Sequence, residues 1–390
     1  GGTSLIPYTG VFNGSGKTLS YLSLIKDSVD NLGIVRSLGE NGSVINLNID
    51  NAHIRGNQNI GIIAGKSQAS SSSNIKSIII QRAKVSAQNG NVGGVIGKSL
   101  FNDLKTIRLF SVAVDSQNGN AGGLVGLGTN IEIEKVSFDG IVKNKANNTG
   151  GIIGEIYEGR IDEASFSGSI LGHGKHIGGI GGKINGTSSS ITSLRDLSSR
   201  GLVEGRSQIT DINIGGFFGA ISSELLNGLV FQRGYFSGIV KHECTDIGNN
   251  CKVGNVSGGS LSGGPLTLGT DFDGLYSFIP TFSKGGVDIT STPIADLTNP
   301  ASTFGTNVQS NGAGGFNQFS PFWKTMIPGT YPRLSFEIIS PCEIPSNLDV
   351  ISAQASAGRG TITNPIIICN STQWKSIPDN TTKTYKLEDH

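Results

Sequence analysis

Few side chains in this sequence have the type and spacing that catalysis or metal binding requires. The closest histidine pair, His173 and His176 in "HGKH", stands in a turn before a glycine motif, which favours a solvated turn over a metal site. Asp271 and Asp273 in "TDFDG" are one residue apart, as in a calcium loop, but the remaining acidic positions and the loop glycine are missing. The acidic stretch "EIYEGRIDEAS" at 155–165 is explained by a solvated strand edge. We therefore expect no catalytic residues, no metal site and no cofactor.

The stretch "NVGGVIGK" at 91–98 has the composition of a loop that cradles phosphate. Near copies follow at 120–126 (NAGGLVG), 148–154 (NTGGIIG) and 213–219 (NIGGFFG). No helix-forming segment follows these copies, and the full GxxxxGKS/T motif is not completed. A glycine motif that recurs at intervals indicates architecture and not a nucleotide site.

The four cysteines are the other candidates for chemistry. Cys244 and Cys251 bracket the turn-rich "CTDIGNNC", and Cys342 and Cys369 flank the C-terminal segment. We predict the disulfides Cys244–Cys251 and Cys342–Cys369, which fit an oxidising, exported setting. The alternative is a four-cysteine zinc site, but the CxxC spacing typical of such sites is missing.

Composition excludes several functional classes. The chain has 390 residues, a formal net charge of +1 and 15% charged residues, so it has no bulk positive field to attract nucleic acid. No apolar run approaches the ~20 residues of a membrane span. The 58 glycines alternate with β-branched residues and have no Gly-X-Y period. This mixture is typical of many short strands joined by tight turns.

The glycine motif repeats along most of the chain. The first glycine of each copy lies at Gly33, Gly61, Gly93, Gly122, Gly150, Gly178 and Gly215, with steps of 28, 32, 29, 28, 28 and 37 residues. A weaker echo, "NVSGGSLSGG", follows at 255–264. An apolar-alternating stretch precedes each motif, and such a period is the mark of a solenoid in which stacked coils bury each other's apolar faces.

We therefore predict an all-β fold, a parallel β-solenoid (β-helix) of ~28-residue coils. The glycines are expected at coil corners, where φ > 0 or a close backbone approach excludes a Cβ atom. The apolar pairs that follow them are expected to fill the interior: Val95 and Ile96, Leu124 and Val125, Phe217 and Phe218. The segment "LRDLSS" at 194–199 could form a turn or two of helix.

Three regions are expected along the chain. The solenoid occupies 1–265, an aromatic-rich cap follows at 266–340, and a β-rich tail occupies 341–390. The cap collects Phe304, Phe316, Phe319, Phe322, Trp323 and Tyr331. Rings that cover the open end of the core explain this cluster, and a platform for a partner or glycan is the alternative.

Several segments of the chain resemble the GLUG-motif family of bacterial surface proteins. "YTGVFNGSGKTLSYLSL" at 8–24 is similar to the family's leading segment, the units at 91–97, 120–126, 148–154 and 213–219 to the motif, and 314–336 to its closing segment. The chain departs from the motif at Ile34 and Ile62, which replace the second glycine, and at 255–264. The resemblance implies β-solenoid modules of large secreted or surface-anchored proteins, many regarded as adhesins, with no shared catalytic residues.

The order of segments suggests how such units associate. In the modules resembled, a segment like 358–390 precedes the "YTGVFNGSGKT" segment, whereas here it comes last. The tail contains two strand-like stretches, whose assembly residues are Pro365, Ile366, Ile367, Ile368, Tyr385 and Leu387. We expect the tail of one unit to complete the first coil of the next by strand addition, and the alternative is that the tail folds back on its own cap.

The sequence therefore predicts a non-enzymatic structural or adhesive protein at the bacterial cell surface. Its expected partners are copies of itself or tandem modules, and a surface glycan or protein receptor. A carbohydrate-binding or carbohydrate-active β-helix is the alternative, and an enzyme of this kind would project acidic or arginine clusters from one face of successive coils. An ice-binding solenoid would need a flat threonine array, which these strands lack.

Overall fold

The computed structural model describes most of the N-terminal two thirds of the chain. The described residues are 6–68, 73–186, 192–207, 212–222, 229–236, 238–244, 251–254, 257–260, 272–277, 334, 336, 366–368 and 385–387. Every element in these ranges is a β-strand, and all pairings between the strands are parallel. The predicted all-β parallel solenoid is confirmed.

The described residues form thirty strands. The first fifteen are β1 (Val11–Ser20), β2 (Ser23–Ile25), β3 (Val35–Leu38), β4 (Ser43–Asp50), β5 (His53–Gly56), β6 (Ile60–Gly61), β7 (Ala64–Ser67), β8 (Ser73–Gln81), β9 (Lys84–Ala87), β10 (Val92–Gly93), β11 (Ile96–Leu100), β12 (Asn102–Ser116), β13 (Ala121–Gly122), β14 (Val125–Asn144) and β15 (Asn148–Gly150). The remainder are β16 (Ile153–Phe166), β17 (Ser169–Gly172), β18 (His176–Gly178), β19 (Gly181–Asn185), β20 (Thr192–Ser199), β21 (Leu202–Ser207), β22 (Ile212–Gly215), β23 (Phe218–Ile221), β24 (Leu229–Phe236), β25 (Ile239–Cys244), β26 (Cys251–Gly254), β27 (Ser257–Ser260), β28 (Phe272–Ser277), β29 (Ile366–Ile368) and β30 (Tyr385–Leu387).

Strands from successive coils stack into four parallel ladders. The longest ladder runs β1, β4, β8, β12, β14, β16, β20, β24 and β28. The second starts at β2 and ends at β25, and the third starts at β3 and ends at β27. The long strands β12, β14 and β16 take part in more than one ladder, which joins these three ladders into one sheet. The fourth ladder, of β6, β10, β13, β15, β18, β22 and β26, is a separate sheet.

The repeat alignment taken from the sequence is the register of the fourth ladder. Gly61 pairs with Gly93, and each motif glycine pairs with the next as far as Gly215. The ladder then continues to Gly254, one residue before the predicted weak echo at 255–264. The last coil in the described residues therefore begins earlier in the sequence than the glycine pattern suggested.

The motif glycines are required by crowding and not by left-handed backbone. None of the seven has a φ in the left-handed region. A Cβ atom on Gly122 would lie 2.0 Å from the carbonyl oxygen of Val125, and one on Gly150 would lie 2.0 Å from that of Ile153. The chain bends so tightly after each motif strand that the carbonyl three residues later occupies the space of a side chain. Of the two reasons predicted for these glycines, close backbone approach applies and positive φ does not.

The corners that do adopt left-handed backbone carry other residues. One such column, on the longest ladder, consists of Asn46, Ser77, Thr106, Lys135, Glu163, Asp196 and Arg233. Each interrupts the two-residue alternation, so residues three apart both point inward. Leu194 and Leu197 flank Asp196 in this way, and both are fully buried. The segment 194–199 is therefore strand β20, and its helix-like spacing comes from the kink.

The interior is a continuous apolar core. The predicted interior residues Val95, Ile96, Leu124, Val125, Phe217 and Phe218 are all fully buried. Phe138 and Phe166, from successive coils, stack with ring centroids 6.3 Å apart, and Phe217 meets Phe231 edge-on at 5.2 Å. Because equivalent positions stack from coil to coil, each coil covers the apolar residues of its neighbours. Only the terminal coils leave part of their apolar surface uncovered.

Candidate functional site

The first coil leaves one side of the solenoid open. Strand β1 pairs only with β4, and β2 pairs only with β5, so both strands have a free edge in the described residues. Strand β1 is ten residues long and almost entirely exposed. A long free strand edge is a template for pairing with another strand.

Large apolar side chains cluster at this open side. Seven of the twelve exposed large hydrophobic residues in the described part of the chain belong to the first coil: Ile6, Tyr8, Val11, Phe12, Leu19, Tyr21 and Ile25. Val11 is 62% exposed and Tyr21 79%. Monomeric proteins rarely leave such residues together at a surface unless they bind something there. We call these seven residues, with the free edges of β1 and β2, the N-terminal face.

A bulge interrupts the free edge at its centre. The register of β1 with β4 shifts between Asn13 and Lys17, where Ser15 and Gly16 have φ angles of 51° and 71°. The side chain of Asn13 accepts a hydrogen bond from the backbone N–H of Ser15 at 2.9 Å and fixes this turn. The bulge divides the edge into two pairing segments, 11–13 and 17–20, that a partner strand would have to match.

The tail contributes a strand pair of its own. Strands β29 and β30 pair in parallel, with Ile366 opposite Tyr385 and Ile368 opposite Leu387. The structure thus brings together two of the stretches predicted to take part in assembly, in a sheet separate from the solenoid ladders. The remaining predicted assembly residue, Pro365, lies outside the described residues.

The predicted disulfides fall mostly outside the described residues. Cys244 ends β25 and Cys251 begins β26, so the backbone places the two at either end of the intervening segment. Cys342 and Cys369 lie outside the described residues. Both disulfides therefore stay predictions.

Charged side chains gather on one face of the central coils. On the longest ladder, one register column consists of Lys105, Glu134, Asp162 and Arg195, and the adjacent left-handed column continues with Lys135, Glu163, Asp196 and Arg233. We call these eight residues the charged ladder. Acidic and arginine residues on one face of successive coils are the feature that would favour a carbohydrate-active enzyme.

Ion pairs link the members of the charged ladder. Arg233 donates to both carboxylate oxygens of Asp196 at 2.8 and 2.6 Å, and Lys135 lies 3.0 Å from Glu134 and 3.4 Å from Glu163. Lys105 lies 3.7 Å from Glu134. Such pairing neutralises charges that coils only ~4.8 Å apart would otherwise bring together with the same sign.

Two carboxyl groups of the charged ladder are protonated more readily than usual. Burial raises the pKa of Asp162 and of Glu163, although Arg160 and Lys135 respectively oppose the shift. One oxygen of each side chain is buried without a hydrogen-bond partner in the described part of the chain. Because Asp162 is only 7% exposed and Glu163 only 4%, a bulky substrate has little access to them.

Asparagine side chains form hydrogen-bonded columns beside the glycine motifs. The amide of Asn59 donates to Asn31, and that of Asn91 donates to Asn59, each at 3.0 Å. A parallel column links Asp30, Asn57, Asn89 and Asn118 at 2.8, 2.8 and 3.2 Å. An asparagine precedes several of the glycine motifs in the sequence, but the hydrogen-bonded columns that these asparagines form were not predicted from it.

The first asparagine column continues into a buried polar cluster. Asn120 and Asn148 both donate to Glu155 Oε2 at 3.0 Å, and Lys183 lies 3.2 Å from Glu155 Oε1. Glu155, which the sequence assigned to a solvated edge, is only 7% exposed. A buried carboxylate with two amide donors and an ammonium partner is satisfied, and it fixes the register of three coils.

His176 occupies an asparagine position in this column. It pairs in register with Asn148 and Asn213, and Asn213 Nδ2 lies 3.1 Å from His176 Nδ1. Burial, assisted by the charges of Lys183 and Lys175, lowers the pKa of His176 to about 4. The neutral ring accepts the amide hydrogen of Asn213, so this histidine continues a hydrogen-bonded column. His173, by contrast, is exposed.

The described residues contain no group of three or more His, Cys, Asp and Glu side chains placed to hold a metal ion. Of the suspected calcium pair, Asp273 lies in β28 opposite Gln232, and Asp271 lies outside the described residues. In the same part of the chain, no helix is long and apolar enough to cross a membrane.

Comparison with known proteins gives one partial similarity. No family model and no solved structure matches the chain. A stretch of 94 residues, 23% of the chain, is 38% identical to part of halomucin from Haloquadratum walsbyi (strain DSM 16790 / HBSQ001). The match spans 1% of the length of halomucin, so the activity of that protein does not transfer with it. The resemblance to GLUG-motif proteins stays a prediction.

Proposed function

We propose that this chain is a non-enzymatic, extracellular structural or adhesive solenoid that assembles head to tail. The tail of one unit, 358–390, adds strands to the N-terminal face of the next unit, which is a second copy or a tandem module. The observation that carries the proposal is the N-terminal face, where a ten-residue free strand edge coincides with seven exposed apolar side chains.

Strand geometry supports a tail as the occupant. Every pairing in the described solenoid is parallel, and the tail already holds its two strands in a parallel pair. The short tail strands Ile366–Ile368 and Tyr385–Leu387 are comparable in length to the pairing segments 11–13 and 17–20 on either side of the bulge. Backbone hydrogen bonds would supply affinity, and apolar side chains on both partners would supply the buried surface.

Assembly of this kind does not close on itself. The donor tail and the acceptor face are different surfaces, so each added unit presents a new acceptor or donor, and the product is a filament. Low net charge is compatible with stacking of identical units, because long-range repulsion between them is small.

Three further considerations support an extracellular location. The similarity to part of halomucin links a portion of the chain to a protein named as a mucin. The predicted disulfides also favour an oxidising compartment. The GLUG resemblance gives the same expectation and adds adhesion to a surface glycan or protein receptor.

The decisive experiment measures self-association of the full chain by sedimentation velocity over a range of concentrations, with electron microscopy of the products. We expect filaments from the wild type and monomers from a deletion of 358–390. Val11→Lys should also abolish filaments, because it places a desolvated ammonium in the contact. Ile141→Lys is the matched control, since Ile141 is 45% exposed but lies on β14, away from the N-terminal face.

Two outcomes would overturn the proposal. The first is a wild-type chain that stays monomeric at every concentration. The second is assembly that is unchanged by both the deletion and Val11→Lys. Circular dichroism and thermal unfolding of each variant would separate loss of assembly from loss of fold.

The charged ladder is the observation that favours a second candidate, a carbohydrate-active β-helix. Against it, the ladder's carboxylates are ion-paired, Asp162 with Arg160 outside the ladder and the others within it, and Asp162, Glu163 and Asp196 are nearly inaccessible. Release of reducing ends from a panel of polysaccharides would support this candidate, and loss of that release in Asp196→Asn would assign it to the ladder.

A further inference from the structure

A cavity of about 400 Å³ lies on the outer face of the first four coils. Its lining includes the left-handed corner residues Asn46, Ser77 and Thr106, which follow one another from coil to coil. The bulge at 15–16 closes the end nearest the N-terminal face. From Lys135 onward the residues of this left-handed column are charged, so the cavity lies along the uncharged part of the column.

A second register column contributes the other lining residues of these coils. Asn48, Ile79 and Arg108 are in register with one another on β4, β8 and β12. Asn48 donates its amide to the carbonyl of Gly16 at 3.0 Å, and its side-chain oxygen stays available to accept a hydrogen bond from a ligand. Ile79 is 37% exposed and provides an apolar patch between two polar side chains.

The polar groups of this cavity suit a ligand rich in hydroxyl groups. Asparagine carbonyls accept hydrogen bonds, whereas serine and threonine hydroxyls both donate and accept. No hydrogen bond within the described residues engages the hydroxyl of Ser77 or Thr106, and both residues are at least partly exposed. Successive coils repeat these groups every ~4.8 Å, which is close to the advance of a polysaccharide per sugar unit.

The charge of the cavity selects among such ligands. Arg108 is the charged lining residue, and none of the lining residues is acidic. One of its N–H groups donates to the carbonyl of Phe336 at 2.7 Å, which orients the guanidinium at one end of the cavity. Lys76, which is exposed, immediately precedes the lining residue Ser77 on β8 and is a second positive charge in this part of the sheet. A guanidinium binds a carboxylate through two parallel hydrogen bonds.

We propose that this cavity binds an acidic polysaccharide along the solenoid axis. Arg108 binds a uronate carboxylate, Ser77 and Thr106 bind ring hydroxyls of successive units, and Ile79 packs against the apolar face of a sugar ring. This site adjoins the strand edge used for assembly only at the bulge of β1, and binding is therefore measured on the tail-deleted chain, which does not assemble, as well as on the full chain.

The test is titration calorimetry of the full chain with two probes, a short oligogalacturonate and a neutral dextran oligomer of equal length. We expect saturable binding of the uronate and no measurable binding of the dextran. Arg108→Gln should weaken uronate binding about tenfold or more, since it removes a charge-assisted bidentate contact. Thr106→Val should weaken it less and leaves the Arg108 contact with Phe336 intact.

Arg36→Gln is the matched control, because Arg36 is an exposed arginine that, like Arg108, donates to backbone carbonyls, here those of Asp30 and Asn31. It should bind the uronate as the wild type does. The proposal is overturned if the wild type binds neither probe, if it binds dextran equally well, or if Arg108→Gln and Thr106→Val both bind like Arg36→Gln. None of these results bears on filament formation, which is measured separately.

Discussion

The coils contain two kinds of tight position: non-glycine residues with left-handed backbone, and motif glycines with ordinary backbone but no room for a side chain. Nineteen non-glycine residues have positive φ in the described chain, and seven of them are asparagines, which tolerate the left-handed region best among residues with a side chain. The motif glycines instead occupy ordinary backbone next to a bend. These glycines therefore recur at the same place in each coil because there is no room for a Cβ atom. Replacement of one of them by alanine tests this explanation directly.

We predict that Gly150→Ala destabilises the solenoid by about 3 kcal/mol or more, at the upper end of overpacking effects. The new methyl group would lie 2.0 Å from the backbone oxygen of Ile153, which cannot rotate away. Gly181→Ala is the control, because the nearest atoms to its methyl group would all be side-chain atoms, of Ile184 at 3.0 Å, Phe218 at 3.4 Å and Ile153 at 3.6 Å. Urea unfolding of both variants is the measurement, and equal midpoints would refute the crowding explanation.

At the scale of elements, the glycine spacing was sufficient to predict the coils and their register. Each motif glycine aligns with the next because a stacked coil must repeat its tightest bend at the same place. The left-handed corners could not be predicted, because residues as different as Thr106, Lys135 and Asp196 occupy them. These kinks bring residues three apart inward and make β20 look helical. The N-terminal face was predicted only as a pairing site, and the cavity that adjoins it depends on side chains about thirty residues apart in successive coils.

The asparagine column gives a prediction about pH. The folded pKa of His176 is lowered to about 4, whereas an unfolded histidine titrates near 6.5, so the unfolded chain binds one more proton between these values. The contribution of neutral His176 to stability is therefore full above pH 6.5 and is lost as the pH falls toward 4. His176→Asn, which restores the asparagine of neighbouring coils, should lose less stability than the wild type between pH 7 and pH 4.

His173→Asn is the control for this experiment, since His173 is exposed three residues away. The free energy of unfolding of each protein is measured at several pH values, and other titrating groups cancel in the differences between variants. A curve for His176→Asn that runs parallel to that of the wild type would mean that the partly buried His176 ring takes up its proton as readily in the folded as in the unfolded chain.

At the scale of the whole molecule, each coil is stabilised only by its neighbours, so stability should vary along the axis. A parallel strand with one neighbour leaves about half of its amides unpaired, which is the situation of β1 and β2. The central strands β12, β14 and β16 are paired on both sides.

We predict that amide hydrogen exchange in dilute solution is fastest in residues 8–25 and slowest in 102–166, since local opening begins where contacts are fewest. When the protein is concentrated enough to assemble, protection should rise in 8–25 and in the tail, because strand addition pairs their free N–H groups, while exchange in 102–166 stays the same. Exchange by mass spectrometry at two concentrations resolves these peptides, and Val11→Lys should remove the rise. Protection that increases in the central coils instead, with 8–25 unchanged, would place the contact between units on the flanks of the solenoid and not at its end.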